Sequence, residues 1–187
     1  MICLQILQRF LKNKGLLRIW GVLYIASILI VVIISLYFKL NLNLKGLHEK
    51  KVNFFYVYFE NIKMSTHMYF IGIITCGLFA VSLLLNNIFT VGVIANQMIN
   101  SNKVSLAYKM LPHGIFEFAG MTLIAATSFW MFYISINMLP RVIKREAKIN
   151  ELLMRLAEIF IESYIINLLI FFIAAIIETM VSYMKFL

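Results

Sequence analysis

The sequence predicts an all-α membrane protein in which about five transmembrane helices form a single domain over residues 1–187. Hydrophobic residues make up 63% of the chain and charged residues only 13%, and the mean hydropathy is +0.91. Several uncharged stretches approach the roughly 20 apolar residues with which a helix crosses a bilayer. A chain of 187 residues built in this way leaves no room for a separate soluble enzyme.

The first predicted span covers residues 17–38. Four cations precede or begin it: Arg9, Lys12, Lys14 and Arg18. The uncharged run from 19 to 38 is longer than the roughly 7 to 15 apolar residues of a cleaved signal peptide, so it indicates a signal anchor. Cations collect on the cytoplasmic side of membrane proteins, and the N-terminus is therefore expected in the cytoplasm.

Residues 39–67 form the longest polar stretch, in which lysines alternate with aromatic residues such as Phe54, Tyr58 and Phe59. The aromatic rings are expected at the membrane interface or on the protein's own helices. The 17 Lys and Arg exceed the 8 Asp and Glu, and they flank apolar runs. This pattern indicates topology signals and contact with the lipid bilayer, and it argues against a nucleic-acid partner.

The uncharged stretch from Met68 to Ile99 is too long for one upright crossing. Asn86 and Asn87 are predicted to divide it, because adjacent amides are costly in lipid and satisfy backbone groups at a helix end. The remaining spans are then predicted at residues 68–86, 88–106, 112–139 and 158–184.

The segment between Arg141 and Arg155 is rich in cations and is expected in the cytoplasm, which places the C-terminus outside. Glu158 and Glu162 follow it and are predicted to begin the last helix, where carboxylates meet the positive end of the helix dipole.

His113 and Glu117 are the leading candidates for function, because they are ionisable and begin an apolar run that reaches Leu139. A charge at the centre of a membrane helix costs about 2.5 to 3.5 kcal/mol on insertion scales, so such groups usually pair or serve a task. Pro112 is expected at the first helical position, and His113 and Glu117 then share a helix face. The predicted topology brings Glu178 to the same end of the protein.

An imidazole and two carboxylates at one depth suit general acid and base catalysis or a divalent metal, which is the one cofactor that this set suggests. The alternative is a hydrogen-bonded triad of His113, Glu117 and Glu178 that holds helices together. The spacing lacks the HExxH pattern of zinc hydrolases. There is also no nucleotide-binding loop, so energy for transport would come from a partner or a gradient.

The string Pro112-His113-Gly114 with Glu117, the Asn86-Asn87 pair and the closing Ala175-Ile176-Ile177-Glu178 resemble the stage II sporulation protein M family. The resemblance begins near residue 68, and PHG-x-x-E is its specific part. It implies a multi-span protein of the bacterial cell membrane in one of two settings. In the first, the protein works with partners in engulfment and septal peptidoglycan remodelling during sporulation. In the second, it acts in the maturation or export of a circular bacteriocin, together with a transport ATPase and other small membrane proteins.

A compact, basic chain without a sizeable extracytoplasmic domain favours the peptide setting. A hydrophobic cationic peptide inside the membrane needs polar groups at depth, and His113, Glu117 and Glu178 could engage its termini or its backbone. In the enzymatic alternative, a carboxylate or a metal-bound water cleaves the leader peptide, or a general base deprotonates the new N-terminal amine for ring closure. A channel or transporter component would instead need a continuous polar path between these residues and Asn86-Asn87.

Overall fold

A computed structural model describes residues 2–37, 53–100 and 104–183, with the side chains of residues 4–37, 53–100 and 112–183. The described residues form only helices, which confirms the all-α prediction. In chain order they are α1 (Ile2–Lys12), α2 (Lys14–Tyr37), α3 (Phe54–Ile74), α4 (Leu78–Asn100), α5 (Val104–Ile143) and α6 (Ile149–Tyr183).

The long helices alternate in direction along one bundle. Trp20 of α2 donates to the Ala119 carbonyl of α5 at 3.0 Å, and Tyr24 donates to the Ile115 carbonyl at 3.3 Å. Because later residues of α2 meet earlier residues of α5, these two helices are antiparallel. By the same reasoning α3 runs parallel to α5 and antiparallel to its neighbours α4 and α6.

Four helical segments are long and apolar enough to cross a membrane: α2, α4, α6 and residues Pro112–Ile143 of α5. Helix α3 is not among them, because polar residues such as Glu60 and Lys63 lower its hydropathy. Helix α3 packs against α4, α5 and α6, and the described residues thus contain four candidate spans where about five were predicted. The chain is therefore a multi-pass membrane protein, while the cytoplasmic placement of its N-terminus stays a prediction.

The helix break predicted at Asn86 and Asn87 is wrong. Helix α4 continues through both residues without interruption. A membrane helix satisfies its own backbone hydrogen bonds, so two polar side chains do not by themselves end it. The predicted spans 68–86 and 88–106 are replaced by α3 and α4.

The turn between α3 and α4 lies instead at residues 75–77. Cys76 has a φ of 55° and Gly77 a φ of 88°, a left-handed conformation that glycine adopts without steric cost. A Cβ on Gly77 would also lie 3.1 Å from the Phe129 ring. Glycine at this position therefore allows both the tight turn and its close packing on α5.

Two further helix starts differ from the predictions. Helix α5 begins at Val104, so Pro112 lies inside it. Membrane helices tolerate an internal proline because neighbouring groups satisfy the freed carbonyl. Helix α6 begins at Ile149 with Glu151 in its first turn, and Glu158 and Glu162 lie further along the helix.

The polar stretch predicted over residues 39–67 is helical from Phe54 onward, and its part before residue 53 lies outside the described residues. The rings of Phe54 and Tyr58 pack edge to face on Phe172 of α6, with centroid distances of 5.4 and 5.5 Å. These two aromatic residues thus pack on the protein's own helices, one of the two placements predicted for them.

Helix α5 is the centre of the bundle. In the most apolar stretch of α5, 61% of the residues are buried, compared with 6% in α2 and 33% in α6. Its buried residues Met121, Ile124 and Ala125 share one apolar core with Met68 of α3 and Phe171 of α6. The other helices consequently provide most of the surface that meets lipid.

Helix α1 is amphipathic and lies at the end of the bundle where α5 turns into α6. Phe10 is buried and packs against the Trp20 ring at a centroid distance of 5.9 Å. Leu4, Leu7 and Leu11 are exposed on another face. Exposed leucines beside cations are typical of a helix that lies in the membrane interface.

Candidate functional site

Four polar side chains from three helices meet toward the end of the bundle at which α3 begins. They are Asn61, His113, Glu117 and Glu178, which we name the polar cluster. Asn61 Nδ2 donates to Glu117 Oε1 at 3.3 Å, and the Glu117 carboxylate interacts electrostatically with His113 and Glu178. All four residues are half-buried. The structure thus brings together the three site residues predicted from the sequence.

Helical geometry accounts for this meeting. His113 and Glu117 lie one turn apart on α5 and share its face. Glu178 reaches the same level from the antiparallel α6, since the two helices approach closely at Gly120. A Cβ on Gly120 would lie 2.8 Å from Phe171 Cζ, so only glycine permits this approach without a shift.

Asn61 is the member of the cluster that the sequence analysis did not single out. It lies in the stretch predicted as polar and outside the membrane, next to the exposed Glu60. The signal that identifies it is helical spacing, because Asn61 falls between buried residues of α3 that recur about every turn. These are Val57, Ser65, Met68, Tyr69 and Gly72.

Polar side chains continue from the cluster into the bundle. Ser65 and Tyr69 follow Asn61 at one-turn intervals on α3, over about 12 Å at 1.5 Å per residue. Asn167 Nδ2 of α6 donates to Ser65 Oγ at 2.6 Å. We name Asn61, Ser65, Tyr69 and Asn167 the polar seam.

The seam contains a buried acceptor without a partner. Within the part of the chain that the structure describes, Asn167 Oδ1 makes no hydrogen bond, whereas the Tyr69 hydroxyl lies beside the hydroxyls of Ser163 and Thr127. Leaving such a group unsatisfied costs about 1–3 kcal/mol. An apolar interface between α3 and α6 would avoid this cost.

The inner part of the seam is closed. Ser65, Tyr69 and Asn167 are each 0% exposed. The hydroxyls of Thr127 and Ser163, beside Tyr69, donate at 2.8 and 3.1 Å to carbonyls of their own helices. The arrangement is a packed interface that ends at the polar cluster, and it does not form an open path through the bundle.

The cluster is looser than a metal site. Among the described residues, no three His, Cys, Asp or Glu side chains form a group that could hold a metal ion. Zinc ligands lie about 2.0–2.3 Å from the ion, so His113, Glu117 and Glu178 would have to move closer to coordinate one. The metal-binding and catalytic roles of these residues stay predictions.

The chemistry of the cluster suits a peptide end. Two carboxyl groups can accept hydrogen bonds from an ammonium group, and such charge-assisted bonds are about twice as strong as neutral ones. The imidazole of His113 and the amide of Asn61 can engage a peptide carbonyl or amide. The cluster can therefore bind the polar end of an otherwise apolar chain.

Asn86 and Asn87 face different surroundings on α4. Asn87 Nδ2 donates to Met121 Sδ at 2.8 Å inside the bundle. Asn86 is exposed on the outer surface, and its side chain makes no hydrogen bond to any described residue. An amide directed at lipid is costly, so the outer surface around Asn86 suits a polar group of another membrane helix.

The sequence model of the stage II sporulation protein M family matches residues 21–183. No curated protein and no solved structure shows a match to the chain. The matched region extends from within α2 to the end of α6 and includes the whole polar cluster.

Proposed function

Because the chain belongs to the stage II sporulation protein M family, we propose that it is a multi-pass membrane subunit for a hydrophobic cationic peptide of the circular bacteriocin type. In this proposal it acts with partner membrane proteins, among them a transport ATPase, in the maturation or export of that peptide. The bacterial cell membrane is its site of action.

The polar cluster is the observation that carries the proposal. Before ring closure, the linear form of a hydrophobic peptide in a bilayer brings charged termini into surroundings where water cannot solvate them. Glu117 and Glu178 supply carboxylates for its ammonium end, and His113 and Asn61 supply further polar contacts. Since the seam beneath the cluster is closed, the peptide end would be held at the cluster and not conducted through this chain.

The family assignment also supports a second setting, in which the protein works in engulfment and septal peptidoglycan remodelling during sporulation. The cluster is also compatible with another function, an intramembrane peptide-processing enzyme that uses His113, Glu117 and Glu178. The sporulation alternative makes a different prediction for a deletion strain.

A deletion of the gene in its own bacterium, complemented by the wild-type gene, tests the proposal. We expect secreted mature peptide to fall to background while spore counts stay normal, because the peptide loses its membrane subunit. Mass spectrometry of the cells then separates the two steps: unprocessed precursor indicates maturation, and trapped mature peptide indicates export. A normal amount of secreted peptide together with reduced spore counts would contradict the proposal and favour the role in sporulation.

A substitution at Asn86 tests whether this residue contacts a partner membrane protein. Replacing Asn86 by Leu should weaken association with the membrane proteins encoded beside this chain by roughly fivefold, since an interhelical hydrogen bond contributes about 1 kcal/mol. The measurement is the recovery of those proteins with the tagged chain in mild detergent. Phe89→Leu, on the same exposed surface, is the matched control, and equal recovery with both variants would contradict a partner contact at Asn86.

A further inference from the structure

An apolar groove lies between α2, α4 and α5, next to the polar cluster along α5. Its volume is about 270 Å³, and its walls include Val31 of α2, Val91 and Ala95 of α4, and Gly114 and Phe118 of α5. At one position beside it α2 and α4 are in tight contact, because a Cβ on Gly92 would lie 2.7 Å from Ile34 Cγ2.

The described lining of the groove is almost entirely hydrocarbon. Among the lining residues that the structure describes, Ser35 is the polar one. The Ser35 hydroxyl donates to the Val32 carbonyl at 2.8 Å, and the Ser35 carbonyl accepts from Asn96 at 2.6 Å. Both polar groups of Ser35 are thus engaged within the protein, so the groove suits an occupant without hydrogen-bonding groups.

The rim of the groove continues into the surface that faces lipid. Val32, Ile99 and Ile115 are 46%, 48% and 43% exposed and belong to both the lining and the outer surface of the bundle. Acyl chains of the surrounding bilayer therefore reach the groove directly, whereas a soluble ligand would first have to enter the membrane.

The volume of the groove, about 270 Å³, indicates the size of its occupant. A dry apolar cavity of about 150 Å³ holds a molecule of benzene. A groove almost twice as large accommodates a segment of one hydrocarbon chain.

We propose that this groove is a binding site for one acyl chain of a bilayer lipid. Lipid tails are as apolar as the groove, so the driving force is dispersion contact with side chains that would otherwise face a void. The groove lies in the half of the bundle where α2 ends, and the lipid headgroup lies beyond that end. The site does not depend on the peptide proposal, because the bilayer is present whichever process the chain serves.

Gly114, part of the Pro-His-Gly string, provides a sharp test. A Cβ at Gly114 meets nothing within 4 Å, and the same holds for Gly21 of α2, which is outside the groove lining. Gly114→Leu should therefore fill the groove without a clash, and Gly21→Leu is its matched control. Ala95→Leu narrows the groove from the opposite wall and serves as an independent second variant.

The experiment uses the full chain in nanodiscs of phosphatidylcholine that contain a trace of the same lipid with a photoreactive diazirine on one acyl chain. After illumination, mass spectrometry locates the labelled residues. We expect labels on the groove residues of α2, α4 and α5, at least fivefold weaker in Gly114→Leu and Ala95→Leu and unchanged in Gly21→Leu. Each variant is first checked for a wild-type thermal unfolding midpoint.

Two results would overturn the proposal. One is labelling spread evenly over lipid-facing residues without enrichment in the groove. The other is groove labelling that persists in whichever of Gly114→Leu and Ala95→Leu folds normally. Secretion of mature peptide does not enter this test, so failure of the lipid site and failure of the proposed function are distinguishable.

Discussion

Replacing Glu117 by Gln is expected to stop secretion of the mature peptide while the protein still accumulates in the membrane. Gln keeps the size of the side chain and an oxygen that can accept from Asn61, but it removes the negative charge beside His113 and Glu178. A hydrogen bond to a charged group contributes about 1.5–3 kcal/mol, so the affinity for a peptide ammonium should fall roughly 10- to 100-fold. The measurements are an immunoblot of the membrane fraction and mass spectrometry of the medium.

Glu60→Gln is the matched control for this prediction, because Glu60 neighbours Asn61 on α3 but is exposed. It should leave secretion unchanged. His113→Ala extends the test to the imidazole. Full secretion by both Glu117→Gln and His113→Ala would contradict a role for the cluster in peptide handling. Loss of the protein from the membrane would instead indicate that these residues form a structural triad.

Replacing Gly120 by Leu is expected to destabilise the bundle strongly. A Cβ at this position lies 2.8 Å from Phe171 Cζ and 2.9 Å from Asn167 Oδ1, and both of these residues are completely buried. Overpacking a close contact costs about 1–3 kcal/mol and occasionally more. Here it also displaces Asn167 from its hydrogen bond with Ser65, so we expect the free energy of unfolding in detergent to fall by at least about 3 kcal/mol.

Gly21→Leu again provides the comparison, since the Cβ of residue 21 meets nothing within 4 Å. It should unfold at the same denaturant concentration as the wild type or at a higher one, because leucine has a higher helix propensity than glycine. If the Gly120→Leu variant were as stable as the wild type, α5 and α6 would separate easily at this position. Close packing at Gly120 would then not explain how Glu178 comes near Glu117.

The residues that sequence reasoning placed well are those whose position follows from the cost of charge in lipid. His113, Glu117 and Glu178 stand out because each is ionisable within an apolar run, and the structure brings them together. Their role stays a prediction, because the same residues suit a peptide site, a reaction centre or a structural triad.

The errors share one cause, which is that a local signal, either polarity or a proline, was taken to begin, end or exclude a helix. Asn86 and Asn87 lie inside α4, and Pro112 lies inside α5. Asn61 was missed because the charged neighbours Glu60 and Lys63 make its segment look extramembranous. Inside a bundle, however, polar side chains can pair with other helices, and such pairings cannot be read from one segment alone.

The sequence by itself determined the all-α class, the membrane location and the ionisable residues of the candidate site, since each depends on the transfer of single side chains from water to lipid. Only the tertiary structure decided that α3 belongs to the bundle, that Asn61 contacts Glu117, and that Gly114 lines an apolar groove. These depend on which helix faces meet. Many packings of the same helices are compatible with one hydropathy pattern, and close contacts at residues such as Gly120 and Gly92 distinguish the observed one.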